Sequence, residues 1–114
     1  MSTTTTSTAV TPQLAAVRHI LTAPSVAART APHLDGPDGP DWAALLDEAD
    51  GMSYGQGLLV RVAHDLGEGT SLAPVWELPG RLGPASFARV VEALAMYRGE
   101  AAWVASDVAP LAAA

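Results

Sequence analysis

The chain has 114 residues and no cysteine, so it can form one domain with a single core, and disulfides, thiolate metal sites and cysteine nucleophiles are excluded. Its formal net charge of -6 argues against nucleic acid as a partner, because a phosphate-binding domain normally presents a basic face. No apolar run reaches the roughly 20 residues that a membrane span needs, and the N-terminus lacks the pattern of a signal peptide, so we expect a cytoplasmic protein without a membrane partner.

The beginning of the chain predicts a tail followed by one helix. Residues 1–10 are a Ser/Thr-rich tract that cannot bury enough apolar area to offset its ordering entropy, so we expect a disordered tail. Thr11 and Pro12 are typical of an N-cap and a first helical position. The apolar residues that follow recur at helical spacing and predict a helix from about residue 12 to residue 22.

A Pro/Gly-rich stretch then predicts a break in the chain. Residues 30–40 contain three Pro and two Gly, which cannot continue a helix and are typical of an exposed linker. We therefore divide the chain into a tail (1–10), an N-terminal arm of one helix and a linker (11–40), and a helical body (41–114). Whether the arm docks on the body cannot be decided from the sequence.

The body begins with two predicted helices. Asp41 is a suitable N-cap for the first, over residues 41–50. Ser53 and Gln56 have the spacing of a capping box, which predicts that a central helix occupies residues 53–66 and ends at Gly67. Its apolar stripe consists of Leu58, Leu59, Val62 and Leu66.

The rest of the body predicts further short helices. Residues 72–78 are predicted to form one, with Leu72, Val75 and Trp76 facing inward. Pro84 is suited to begin a longer helix whose buried stripe would face the central helix, and this stripe consists of Phe87, Val90, Val91 and Leu94. A last helical stretch would begin around Trp103. The predicted fold is all-α, a small bundle of four or five short helices.

One alternative function is DNA binding. Residues 71–98 have the outline of a helix-turn-helix, in which Ser86 and Arg89 would face the groove and Arg81 would meet a phosphate. Two packed helices of any small bundle share this outline, and the basic face that should accompany DNA binding is missing. We therefore keep this function as an alternative.

A further alternative is a metal-dependent hydrolase. His19, the dipeptide His64-Asp65 and Asp107 follow the order that resembles the metal-ligand signature of HD-type phosphohydrolases. The dipeptide is a weak motif, and it is far more typical of the solvated face of an amphipathic helix. We therefore predict no metal, no cofactor and no catalytic residue.

Protein binding is the function that the sequence favours. Residues 35–50 hold six acids and no Arg, and such a segment would steer a partner with a basic surface. The apolar stripes favour a core position for Trp42, Trp76 and Trp103, but the sequence does not separate core residues from interface anchors, whereas Tyr54 is expected to be exposed. The candidate partner-binding residues are Asp38, Asp41, Asp47, Glu48, Asp50 and Tyr54. We predict a small acidic adaptor or regulatory module that is not an enzyme, of unknown oligomeric state.

The body also resembles a known group of proteins. Between residues 41 and 99 the chain contains DWAALLDEADGMSYGQGLLVRVAHDL, SLAPVWEL and SFARVVEALAMYRG. These segments resemble small uncharacterised helical proteins of high-GC Gram-positive bacteria. A high-GC genome also fits the composition, which has no Lys, no Asn and a single Ile. The resemblance implies a helical body and offers no site to transfer.

Overall fold

A computed structural model describes residues 11–99, and the predicted disordered tail and Trp103 lie outside this range. The described chain is helical, which confirms the all-α prediction. Its α-helices are α1 (Pro12–Leu21), α2 (Ala27–Thr30), α3 (Trp42–Asp50), α4 (Tyr54–Glu68), α5 (Leu78–Arg81) and α6 (Pro84–Tyr97). There are also two 3-10 turns: Ala31–His33 follows α2, and Val75–Glu77 precedes α5.

Three of the helices begin at the caps that the sequence indicates. The Thr11 hydroxyl accepts a hydrogen bond from the Leu14 amide at 3.0 Å, and the Asp41 carboxylate accepts one from the Ala44 amide at 3.1 Å. The capping box of α4 is complete, because Ser53 and Gln56 each bond the other's backbone amide. These bonds satisfy amides that the first turn of a helix leaves without a partner.

The C-terminal end of α4 differs from the prediction. The helix continues through Gly67 to Glu68 and is closed by Gly69, whose φ of 71° lies in the left-handed region. Gly67 instead provides space, since a Cβ there would lie 3.1 Å from a ring carbon of Trp42 and 3.3 Å from a methyl of Val17. Trp42 packs against the core through this close approach, as predicted.

The N-terminal helix belongs to the same core as the rest of the described chain, a question that the sequence left open. Helix α1 packs against both α4 and α6, which have little contact with each other. Its apolar stripe is fully or almost fully buried and consists of Ala16, Val17, Ile20 and Leu21. The Pro/Gly-rich segment makes turns rather than a spacer, because the Asp41 amide donates to the His33 carbonyl at 2.9 Å. Residues 41–99 therefore need α1 to complete their hydrophobic core.

The position of α1 also corrects the predicted pairing of α4 with α6. Leu58, Leu59 and Val62 of α4 are buried as predicted, but α1 supplies much of the surface that covers them. On α6 only Val90 of the predicted stripe is deeply buried, whereas Phe87 and Leu94 are exposed. Because α1 takes the central place, α6 packs on it through a face rotated away from Phe87 and Leu94.

The predicted helix over residues 72–78 is wrong. Pro74 is extended, with a ψ of 101°, so the helical turns begin only after it and the faces are rotated. Ala73, Leu78 and Leu82 are buried in place of the predicted residues. Leu72, Val75 and Trp76 point into solvent. This rotation puts a tryptophan on the surface of the molecule.

Candidate protein-binding surface

Arginines from three other elements partly neutralise the predicted acidic segment. The ion pairs are Arg18–Asp35 at 2.7 Å, Arg29–Glu48 at 2.9 Å and Arg61–Asp50 at 3.1 Å. Three of the six acids in residues 35–50 are thereby paired within the chain. These pairs are exposed to different degrees, and each contributes little to stability. Together they reduce the negative electrostatic potential around residues 35–50.

Glu48 is the most engaged of the predicted partner-binding acids. Its carboxylate contacts His33 at 3.3 Å through one oxygen and Arg29 at 2.9 Å through the other. The hydrogen bond from His33, followed by that from Arg29, holds the pKa of Glu48 below its usual value. The side chain therefore ties α3 to the segment that follows α1.

The remaining predicted acids are spread over the surface. Asp41 caps α3, Asp38 lies on the turn that Gly36 and Gly39 close, and Asp47 is exposed on α3. Within residues 11–99 no ion pair involves Asp38 or Asp47. That these acids steer a basic partner stays a prediction.

Asp65 organises the loop that follows α4. Its carboxylate accepts hydrogen bonds from the Thr70 hydroxyl at 2.5 Å, the Leu72 amide at 2.7 Å and the Ala73 amide at 2.9 Å. Burial acts to raise the pKa of Asp65, but these hydrogen bonds outweigh it and hold that pKa below its usual value. The carboxylate therefore fixes the direction in which the chain leaves α4.

The residues suggested for a hydrolase have structural partners instead. His64 Nδ1 lies 2.8 Å from the Thr70 hydroxyl oxygen, and the His64 ring packs edge-on to Trp42 at 5.0 Å between centroids. Thr70 in turn donates its hydroxyl proton to Asp65. Among residues 11–99 no group of three His, Asp or Glu side chains could hold a metal ion, and Asp107 lies outside them.

The basic residues suggested for DNA binding are also engaged within the protein. Arg89 donates to the His19 carbonyl at 2.8 Å, and Ser86 and Arg89 line an open depression beside Pro24. Arg81 lies over the Tyr54 ring at 5.3 Å. Helix α5 has only four residues and contacts α4, so the helix pair of a helix-turn-helix is incomplete.

A surface that the sequence did not indicate lies on the loop between α4 and α5. Trp76 and Val75, in the second 3-10 turn, are 80% and 70% exposed, and Leu72 is 45% exposed. Tyr54 is joined to the same turn, because its hydroxyl donates to Glu77 at 2.5 Å. We call these four residues, Tyr54, Leu72, Val75 and Trp76, the Trp76 surface.

The Trp76 surface has a fixed support. Tyr54 is held from one side by Glu77 and from the other by the Arg81 guanidinium over its ring, and the Glu77 hydrogen bond raises the pKa of Tyr54. Gly55 lets α4 approach α5 closely, since a Cβ there would lie 3.0 Å from the Arg81 carbonyl oxygen. Tyr54 is half exposed, as predicted, and it is the one predicted partner-binding residue that belongs to this surface.

A second exposed apolar area lies on α6. Phe87, Leu94 and Tyr97 are all more than a third exposed.

In the part of the chain that the structure covers, no helix is both long and apolar enough to cross a membrane. Comparison with protein-family models, with curated proteins and with solved structures gave no match. The resemblance to helical proteins of high-GC Gram-positive bacteria stays a prediction.

Proposed function

We propose that this protein is a small acidic module that binds another protein through the Trp76 surface. The observation that carries the proposal is the exposure of Trp76 and Val75, 80% and 70%, at successive positions of one short turn. A Trp side chain buries about 150–250 Å² when it enters an interface, and adjacent exposed apolar side chains mark interaction sites. Trp, Tyr and Arg are also the residues that most often dominate binding energy, and Tyr54 and Arg81 lie beside this turn.

The support beneath the surface favours binding. Asp65 fixes the amides of Leu72 and Ala73, and α5 packs against α4 directly after the exposed turn. A turn that is already ordered loses less conformational entropy when it meets a partner, so more of the contact energy is realised as affinity. The Trp76 surface is thus suited to act as a preformed anchor.

The acids have a secondary role in this proposal. Asp38 and Asp47 carry exposed charges, and the chain as a whole has a net charge of -6. A partner with a basic surface would be attracted over long range, which raises the rate of association more than the strength of the final complex. The module needs no catalytic residue to work in this way.

Site-specific photo-crosslinking in the cells of origin tests the proposal. A photoreactive phenylalanine analogue at position 76 should capture a defined protein, whereas the analogue at exposed Ala28 on α2 should not. The captured protein, once purified, should bind the Trp76→Ala variant roughly 10–100-fold more weakly than the wild type, the loss typical of a central interface Trp. Leu94→Ala, which truncates an exposed apolar residue elsewhere, is the matched control and should bind normally. Equal capture from positions 76 and 28, or equal binding by Trp76→Ala, would contradict the proposal.

A further inference from the structure

The depression that Arg89 lines lies between the loop that follows α1 and the first turns of α6. It has a volume of about 330 Å³, within the roughly 300–1,000 Å³ typical of small-molecule sites. The lining residues are Ala23, Pro24 and Ser25 of the loop and Ala85, Ser86 and Arg89 of α6. None of them is acidic. The depression therefore combines an apolar lining with one cation and two hydroxyl groups.

Arg89 has an unusual partner for an arginine of this chain. Four of the six arginines pair with a carboxylate, whereas no ion pair within residues 11–99 involves Arg89. Arg89 Nη1 instead donates to the His19 carbonyl at 2.8 Å. This bond leaves the Nε–Nη2 edge of the guanidinium, two parallel N–H donors, without a partner in that range. Such an edge matches the two oxygens of a carboxylate.

The charge pattern of the sequence favours an anion at this place. Residues 1–34 and 78–91 contain no Asp or Glu, and each wall of the depression comes from one of these two stretches. The one acid of α6, Glu92, contacts His19 at 2.5 Å. The net charge of -6 is thus carried by other parts of the chain, and Arg89 gives the depression a local positive charge.

Both walls of the depression are held in place by hydrogen bonds. The Gln56 side chain of α4 donates to the Ser25 carbonyl at 2.9 Å, and the bond to the His19 carbonyl fixes Arg89 on the other wall. The hydroxyls of Ser25 and Ser86 form no hydrogen bond with the described part of the chain and are available to a ligand. A ligand would therefore meet a site that is already formed, which lowers the entropic cost of binding.

We propose that this depression binds a small monocarboxylic acid with a short apolar body. The carboxylate accepts two hydrogen bonds from the Nε–Nη2 edge of Arg89 and others from the Ser25 and Ser86 hydroxyls. The three apolar lining residues contact the carbon atoms of the ligand. A phosphate monoester fits less well, because it carries about -1.5 to -2 charges at pH 7 and the lining contains one cation. This inference is independent of binding at the Trp76 surface.

Nuclear magnetic resonance of the full chain tests the proposal with isovalerate as the probe. The amide signals of Ser25 and Ser86 and the Nε signal of Arg89 should shift as isovalerate is added, until the site is saturated. Isovaleramide has the same body without the charge, and it should bind about tenfold more weakly or worse because it cannot form the charge-assisted pair. Equal binding of the acid and the amide would overturn the proposal, and so would tighter binding of inorganic phosphate than of isovalerate.

Two matched pairs of variants locate the site. Arg89→Gln should weaken isovalerate binding about tenfold, whereas Arg18→Gln, which removes the same charge from the pair with Asp35, should bind normally. Ala85→Met leaves Arg89 in place but fills the depression, so it should abolish binding, and Ala28→Met outside the depression should not. Both alanines are exposed, so neither change disturbs the core. Wild-type affinity in Arg89→Gln or in Ala85→Met would contradict the proposed site.

Discussion

Single polar side chains fix the connections between the helices of this protein. Thr30 is completely buried, and its hydroxyl donates to the Leu21 carbonyl at 2.5 Å, which closes the turn after α1. Asp65 has the corresponding role after α4, where one carboxylate receives three hydrogen bonds. Arg29 joins the segment after α1 to Gly51, since its guanidinium donates to the Gly51 carbonyl at 3.0 Å. In each case a side chain satisfies backbone groups that a connection between helices leaves unpaired.

Replacing Asp65 should change how stability depends on pH. The pKa of Asp65 is lowered in the folded chain, so its contribution is present above the unfolded pKa and is lost as pH falls through the folded pKa. We expect Asp65→Asn to lower the free energy of unfolding by about 1 kcal/mol near pH 7, with solvent screening of this partly exposed carboxylate taken into account.

Urea denaturation of both proteins from about pH 7 down to about pH 3 measures this effect. The gap between wild type and Asp65→Asn should narrow toward the acidic end. Glu48, whose pKa is also lowered, contributes to the acid sensitivity of both proteins equally and cancels in the difference. A gap that stays constant across the range would show that the Asp65 carboxylate is not the group responsible.

At the scale of the elements, glycine positions set how closely neighbours approach α4. A Cβ at Gly57 would lie 3.0 Å from the Ala49 carbonyl oxygen, so the end of α3 can approach the first turns of α4 only because Gly57 has no side chain. The lack of a side chain at Gly67 and Gly55 likewise lets Trp42 and the Arg81 carbonyl approach α4 closely. These glycines weaken the intrinsic helix propensity of α4 but allow its neighbours to pack against it.

Two Gly→Ala changes should therefore have opposite effects. Gly80→Ala in α5 meets no atom within 4 Å and should stabilise the fold by about 0.5–1 kcal/mol, by reducing the entropy of the unfolded chain. Gly57→Ala gains the same propensity but pushes on the backbone of α3, and it should destabilise by about 1–3 kcal/mol. Chemical denaturation of the two variants compares them directly. A stabilising Gly57→Ala would show that α3 and α4 are not in close contact.

The sequence predicts those elements whose signals are local. The capping box of Ser53 and Gln56, the Asp41 cap and the Thr11–Pro12 start all appear where they are predicted, because each depends on residues three or four apart. The place of α1 depends on contacts with α4 and α6, which lie far away in the chain, and no local pattern contains that information. The exposure of Trp76 depends on whether Pro74 belongs to a helical turn or precedes it. The positions of Val75 and Trp76 in the sequence are compatible with both arrangements. Prolines at positions 74 and 79, which bracket the turn, are the signal that could have indicated it.

For the whole molecule, the central place of α1 makes the fold a single unit. Helices α4 and α6 are held together mainly because both pack on α1, so the stability of the C-terminal part depends on the N-terminal part. Arg18 and Arg29 add ion pairs from the first thirty residues to the acidic segment. The protein should therefore unfold in one cooperative transition.

Ile20→Val tests this dependence. Ile20 is completely buried in α1, and loss of one methylene from a packed core lowers the free energy of unfolding by about 0.5–1.5 kcal/mol. Ile20→Val should shift the transition followed by helical circular dichroism and by the near-ultraviolet signal of the aromatic residues by the same amount. Thr22→Ser, on the exposed residue that follows α1, should leave the transition unchanged. A shift of less than about 0.3 kcal/mol in Ile20→Val would show that α1 does not share the cooperative core.

The exposure of Trp76 has a consequence for the energetics of the free protein. A Trp side chain that is left in water instead of being buried forgoes about 25 cal/mol for each Å², which for an area of about 150–250 Å² amounts to several kcal/mol. This is a substantial part of the roughly 5–15 kcal/mol by which a small domain is stable. The burial of this one side chain would thus contribute a hydrophobic free energy that is a substantial part of the free energy of unfolding. That free energy becomes available only when another surface removes Trp76 from water.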